Sequence, residues 1–182
     1  MHQLKIIKSI SLIIVLYLIT SCSDNSTMKP EDFKNKEPRL IIEEYLSGNV
    51  KAWGVLQNRF GKVTRQFSAD LNGSWNGKQL ILKEKFNWND GEIQNREWFI
   101  NKIDENNYEG TADDVVGKAI GYSYGPVFKF EYVLLVPVKG KEMKITFDDW
   151  IFKQDERVAI NKATMTKFGI KVAELTVVFV KD

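Results

Sequence analysis

Between Lys78 and Trp88 the chain alternates with a period of two. Leu80, Leu82, Phe86 and Trp88 share one face with Glu84 as the single polar exception, while Lys83, Lys85 and Asn87 share the other. In a strand successive side chains point to opposite faces, so this run reads as a half-buried β-strand. Turn signals bracket further runs of the same kind: Asn76-Gly77, Asp90-Gly91, Asp104 to Asn107, and Lys139-Gly140. Asn-Gly and Asp-Gly suit the φ > 0 positions of tight hairpins. The pattern predicts strands near 50–58, 62–75, 78–88, 92–103, 107–116, 118–124, 127–137, 141–153, 156–165 and 170–181. Long antiparallel strands joined by tight turns predict an all-β chain, closed as an up-and-down β-barrel of roughly eight to ten strands so that no sheet edge is left exposed. A β-sandwich is the alternative.

The first residues follow a different pattern. Lys5 and Lys8 precede an almost wholly apolar run from Ile10 to Ile19, and Thr20, Ser21 and Cys22 follow. A basic start, a short apolar run and small residues before a cut describe a secretory signal peptide. The run is shorter than the roughly twenty residues a spanning helix needs. Ile19-Thr20-Ser21-Cys22 resembles a lipobox, which implies a signal peptide over 1–21 and lipidation of Cys22. Residues 22–38 are polar, carry Pro30 and Pro38, and read as a tether; 39–182 is then one domain, led by a short helix or lead-in over Arg39 to Leu46. The expected location is the periplasmic face of the outer membrane, held there by acyl chains.

Composition narrows the chemistry. The chain has 26 Lys and Arg against 24 Asp and Glu, and both lysines of the signal region would be lost on cleavage, leaving a neutral domain. A nucleic-acid partner demands a basic face, so none is expected. The one His is His2 and the one Cys is Cys22, so the mature domain would have neither a free thiol nor an imidazole. Ser-His-Asp and Cys-His nucleophilic catalysis, His- or Cys-bound zinc and a disulfide are thereby excluded. No metal and no cofactor are expected.

Several stretches resemble a family of bacterial lipoproteins known as domain of unknown function 3833. They are AWGVLQNRFGKV (Ala52 to Val63), then Gly73, Trp75, Gly77, Phe86, Asp90-Gly91, Arg96 and Trp98, then YEGTADDVVGKAIG (Tyr108 to Gly121), FDDWIF (Phe147 to Phe152) and NKATMTKFGIKVAELTVVF (Asn161 to Phe179). The resemblance implies a lipocalin-like barrel and brings no activity with it.

Candidate functional residues come from three features. The acidic pairs Asp113-Asp114 and Asp148-Asp149 would each send one carboxylate inward if they lie on strands. Two inward carboxylates could share a proton or flank a glycosidic bond. They could equally form strand-end hydrogen bonds or ion pairs with Arg59, Arg96 or Lys167, and no catalytic residue is assigned. Arg59 could hold an acidic ligand group in a cavity, or seal the closed end by stacking on Trp53 or Trp75. Trp53, Trp75, Trp88, Trp98 and Trp150 all fall on predicted strands, where they could line a pocket or fill the core. Gly121 to Gly125 follows no phosphate-binding pattern and reads as a bend between strands.

These features predict a membrane-anchored protein that binds a lipid or another hydrophobic molecule inside its barrel. The alternative is a filled barrel whose outer surface docks an envelope protein.

Overall fold

The computed structural model describes residues 27–138 and 140–182; the expected signal peptide over 1–21, its expected cleavage site and Cys22 lie outside them. Ten antiparallel strands form one closed barrel: β1 (Gly48–Asn58), β2 (Val63–Trp75), β3 (Gln79–Trp88), β4 (Ile93–Lys102), β5 (Asn107–Thr111), β6 (Ala119–Tyr124), β7 (Val127–Val138), β8 (Lys141–Lys153), β9 (Val158–Lys167) and β10 (Ile170–Lys181). Each strand pairs with its neighbour in sequence, and β1 closes the ring against β10 from Val50↔Lys181 to Asn58↔Ala173. The sandwich alternative is therefore excluded. One predicted strand is too long: β5 stops at Thr111 rather than 116, and residues 112–118 fold inward as a loop.

Parity along each strand decides what fills the barrel. The inward set includes Val50, Ala52 and Gly54 on β1, Phe67, Ala69 and Leu71 on β2, Leu80 and Leu82 on β3, Trp98 and Ile100 on β4, and Phe128, Phe130, Tyr132 and Leu134 on β7. Glycines make room for the largest of these. A Cβ on Gly54 would meet the Phe67 ring at 2.3 Å, and one on Gly110 would meet the Phe130 ring at 2.5 Å. Neighbouring inward rings touch edge to face or tilted, with centroids 5.2 Å apart for Trp98–Phe130 and 5.3 Å for Phe128–Phe130. Such aromatic pairs add roughly 0.5–1.5 kcal/mol each beyond their burial.

One end of the barrel is plugged. Residues 39–47 cross it, with the one-turn helix α1 (Ile42–Tyr45) at their centre. Leu40, Ile42, Tyr45 and Leu46 are buried there. The plug's polar groups are also paired. Glu43 accepts from Lys102 Nζ at 2.5 Å and from the Tyr108 hydroxyl at 2.9 Å. Burial alone would raise its pKa, but these bonds outweigh burial and hold it below the usual carboxylate value. The Tyr45 hydroxyl donates to the Arg157 carbonyl at 2.9 Å. Lys181 Nζ donates to the carbonyls of Glu44, Tyr45 and Ser47 at 2.7–2.9 Å, meeting the otherwise unpaired C-terminal end of α1.

The stretch read as a tether differs from expectation beyond Lys29. Pro30–Phe33 forms a 3-10 turn with Pro30 buried, and the Phe33 ring packs on Phe152 at 6.0 Å. This part of the expected tether is thus docked on the outside of the barrel, because Pro30 and Phe33 have apolar surface to bury there.

Candidate functional site

Away from the plug the barrel opens. A small cavity of about 110 Å³ lies above α1, walled by Ile42, Leu46, Leu82, Trp98, Ile100 and Val177 among others. Nearer the open end is a wider space of about 360 Å³, walled by Leu56, Trp88, Leu134, Val136, Met165 and Leu175. Phe67, Phe86, Arg96 and Tyr132 border both spaces, so they form the floor of the upper one. The upper volume falls in the range of small-molecule pockets, whereas the lower one does not.

A polar cluster sits at that floor inside an otherwise apolar wall. Glu84 and Arg96 are cross-strand partners on β3 and β4, with Arg96 Nη1 3.9 Å from Glu84 Oε2. Arg96 Nε donates to both carboxylate oxygens of Asp114 at 3.1 Å, and Nη2 to Asp114 Oδ2 at 2.7 Å. The Tyr132 hydroxyl donates to Asp149 Oδ2 at 2.9 Å, and the Asn161 amide donates to Asp149 Oδ1. Burial pushes the Glu84 carboxyl up to about 7; Arg96 opposes this, and the Asp149 charge adds to it. Burial likewise pushes Asp149 up to about 6, against the hydrogen bonds from Tyr132 and Asn161. Burial, reinforced by the Asp149 charge, raises the Tyr132 hydroxyl well above its ordinary value. Burial disfavours the Arg96 charge, but Glu84 and Asp114 outweigh it and keep the guanidinium protonated. Near neutral pH Glu84 therefore stands close to half-protonated, able to donate or accept a hydrogen bond, while Asp149 stays mostly ionised and accepts from Tyr132 and Asn161.

The β5–β6 loop makes this cluster possible. β5 and β6 are short, so the wall between β4 and β7 is incomplete toward the open end. Residues 112–118 cover the gap: Val115 bridges to Leu134, Val116 N–H donates to the Val133 carbonyl at 2.8 Å, and Leu135 N–H donates to the Asp114 carbonyl at 2.9 Å. The Asp114–Arg96 pair ties the loop to β4. Outside this seam lies a solvent-open groove bordered by Lys83, Lys85, Glu97 and Asp113.

The sequence candidates divide accordingly. Asp114 and Asp149 point inward and both face Arg96, Asp114 by direct pairing and Asp149 through its charge; Asp113 is exposed, and Asp148 faces out to Lys129 at 3.4 Å. Trp88 and Trp98 border the two spaces, whereas Trp75 packs against the core without bordering either. Trp53 and Trp150 do not line the interior. Their strand neighbours Ala52, Gly54, Asp149 and Ile151 take the inward positions, so Trp53 is half exposed and Trp150 is covered from outside. Arg59 is neither in the cavity nor against a Trp. It sits in the exposed β1–β2 turn over Phe60, at 4.7 Å from the ring. The Trp–Arg contact of this barrel is Arg65 on Trp88, at 3.9 Å, with Arg65 also bound to Asp90 and Glu92 at 2.7 Å. It lies toward the open end rather than sealing the closed one. Sequence reasoning assigned no site role to Glu84, Tyr132 and Asn161. The signal for Glu84 was present, as the one polar residue on an apolar face, and the Asp90-Gly91 turn sets the register that places Arg96 opposite it. Among the described residues no group of three His, Cys, Asp or Glu side chains could hold a metal ion.

A family model described as "Protein of unknown function (DUF3833)" matches residues 16–181. The chain belongs to the DUF3833 family. No curated protein matches it. The DUF3833 barrel is similar in fold to the S-type phycobiliprotein lyase of Guillardia theta, at 9% identity and a TM-score of 0.58, covering 77% of this chain and 90% of that one. It is also similar to Rv2717c from M. tuberculosis, at 13% identity and a TM-score of 0.57, covering 81% and 99%. A third similar structure is a protein of unknown function from the DUF3598 family of Nostoc punctiforme, at 13% identity and a TM-score of 0.60, covering 81% of this chain and 51% of that one. These likenesses show a lipocalin-like barrel for the DUF3833 chain and nothing finer.

Proposed function

We propose that this protein is an envelope lipoprotein, cut before Cys22 and anchored by acyl chains on that residue, whose barrel binds a small hydrophobic ligand through its open end. The carrying observation is the apolar upper chamber with a buried polar cluster as its floor. Apolar walls supply area for an acyl or ring system, and a few placed polar groups fix its orientation. The cluster also narrows the ligand class. Arg96 is engaged through Nε and Nη2 by Asp114, and its Nη1 faces Glu84 at 3.9 Å, so its charge is already balanced by acids of the chain itself. Glu84 and Asp149 are raised carboxyls, which favour a hydroxyl, amide or amine over a carboxylate. The ligand is therefore a lipid or other apolar molecule with a neutral or cationic polar group. The barrel fold shared with the phycobiliprotein lyase is compatible with this reading.

Native mass spectrometry with lipid analysis tests it, using residues 27–182 exported behind a cleavable signal and purified from the native host. A stoichiometric neutral or amine-bearing lipid supports the reading. A retained fatty acid overturns the ligand class, and a clean apo mass under mild conditions overturns the binding function in favour of a protein that acts by its outer surface. The Cys22 anchor is tested separately, by the mass of the N-terminal peptide from the membrane-extracted protein.

A further inference from the structure

The open end of the barrel carries residues that the fold does not need. Going round the ring, the hairpins β1–β2, β9–β10 and β7–β8 are consecutive. Their tips expose Phe60 (79%), Phe168 (93%) and Ile170 (62%), with Val63 and Val138 beside them. An exposed phenylalanine adds nothing to the core, and at Phe168 the backbone argues against it as well. Lys167 and Ile170 are paired, so Phe168-Gly169 is a two-residue turn, and both residues have positive φ, 51° and 76°. That turn favours Asn-Gly or Asp-Gly, and a bulky side chain at φ > 0 is strained. The β1–β2 tip is held firmly too: Asn58 Oδ1 accepts from Phe60 N–H at 3.0 Å and Lys62 N–H at 3.1 Å.

Charge at these tips is predominantly positive. Among the described residues the three turns bring Arg59, Lys62, Lys141, Lys167 and Lys171 against Glu142, with Lys171 also bound to Glu174. Both aromatic tips pair their ring with a cation: Arg59 lies 4.7 Å from the Phe60 ring centre and Lys167 5.3 Å from that of Phe168. Across the mouth the β3–β4 and β5–β6 turns carry acids instead: Asp113 is exposed, Asp90 and Glu92 are bound to Arg65, and Asp114 is bound to Arg96. Aromatic side chains beside basic ones at projecting turns match the interface of an anionic bilayer, where the ring enters the acyl boundary and the cation stays with the headgroups.

The path of the chain agrees. From Phe33 beside Phe152 it runs back along the outside of β8 and β9, and Thr27 and Met28 border a groove shared with Asp148, Thr164 and Glu174. Four residue steps, roughly 13 Å, lead from Thr164 to Phe168. Five residue steps lead from Cys22 to Thr27, a reach of at most roughly 18 Å. From Phe33 to Thr27 the chain heads toward the open end, so an anchor on Cys22 can reach a surface that the open end faces.

We propose that the β1–β2, β9–β10 and β7–β8 tips dock this protein, mouth first and tilted, on an anionic lipid bilayer. Only the use of the docked mouth for ligand transfer rests on the cavity reading; a filled barrel would dock the same way. The test uses the full chain extracted from membranes, carrying Lys62→Cys at the open end or Lys78→Cys at the plugged end, labelled with an environment-sensitive fluorophore. The chain without either substitution serves as the labelling blank. Each is reconstituted in vesicles of phosphatidylethanolamine and phosphatidylglycerol containing a spin-labelled quencher lipid. The label at 62 should be quenched several-fold more than the label at 78. Adding Phe60→Ser and Phe168→Asn should lower quenching at 62 to the level at 78, with a cooperative melting transition no lower than the parent's confirming the fold. Equal quenching at both ends, no quenching at either, or quenching at 62 that survives loss of both rings overturns the proposal. Equal quenching at 62 in phosphatidylcholine vesicles overturns the choice of an anionic surface. Lipid retention by the barrel is read independently, so failure of one reading leaves the other standing.

Discussion

The two ends of this barrel solve opposite problems with the same strands. At the plugged end residues 39–47 bury Leu40, Ile42, Tyr45 and Leu46, and Glu43, Lys102, Tyr108 and Lys181 find partners. At the open end the turns expose Phe60 and Phe168, and the wall between β4 and β7 is completed by a loop. One end is built for stability and the other spends stability on contact with something outside the chain. The difference shows where to look for function in a barrel with neither His nor free Cys among its described residues: where side chains contradict the local rules.

Substitutions should separate the ends in order of effect. Phe128, 2% exposed and packed on Tyr108 and Phe130, belongs to the plugged half. Phe128→Ala should cost about 3–5 kcal/mol by chemical denaturation, as expected for a buried ring left as a cavity. A loss below about 1 kcal/mol would show that the lower half is loosely packed, and would weaken the comparison at its root.

Next comes the cluster at the chamber floor. Arg96→Met removes the cation facing Glu84, Asp114 and Asp149 and should cost about 3 kcal/mol at pH 8. The cost should shrink toward pH 5, where Glu84 and Asp149 take up protons. A pH-independent loss would mean that packing of the guanidinium, and not its charge, is what counts.

Glu84 tests the same cluster with the opposite sign. Its carboxyl moves from 4.5 in the unfolded chain to about 7 in the barrel. Between those values the folded protein keeps a proton that the unfolded chain has released, so stability falls as pH rises through the window. Glu84→Gln, which cannot ionise, should gain up to about 3 kcal/mol at pH 8 and nothing below pH 4.5. Urea melts of the two proteins across that range check this; parallel curves at every pH would place the raised carboxyl elsewhere.

The smallest effect is the most telling about the open end. Phe168→Asn puts a preferred residue into the β9–β10 turn and should stabilise by roughly 0.5–1 kcal/mol while weakening membrane contact. A destabilised variant would show that the ring supports the fold after all.

Much of this architecture was legible in the sequence. Inward positions alternate over long strands, and Asn-Gly or Asp-Gly marks several turns, so ten runs could be placed within a few residues of β1 to β10. The β5–β6 loop was not legible. ADDVVG reads as extended chain, and only its contact with β7 turns it inward. The tryptophans were visible as strand residues, but a shift of one position moves a side chain to the other face, and Trp53 and Trp150 took the outer one. Arg59 and Arg65 differ in the same way: the turn at 58–62 throws Arg59 outward, and the inward parity of β2 carries Arg65 onto Trp88. Glu84 announced itself by interrupting an apolar face, and its partner then follows from hairpin register.

The shortness of β5 and β6 has a mechanical side. A closed ring of hydrogen bonds resists opening everywhere except where strands run out, and here they run out beside Arg96. Thermal breathing should begin as a zipper at that seam, with the amides of Val116 and Leu135 trading their protons for deuterium sooner than those of β1 or β10. An acyl chain too long for the chamber would then have a sideways slot to lie in, and the Asp114–Arg96 pair would be the button that fastens it.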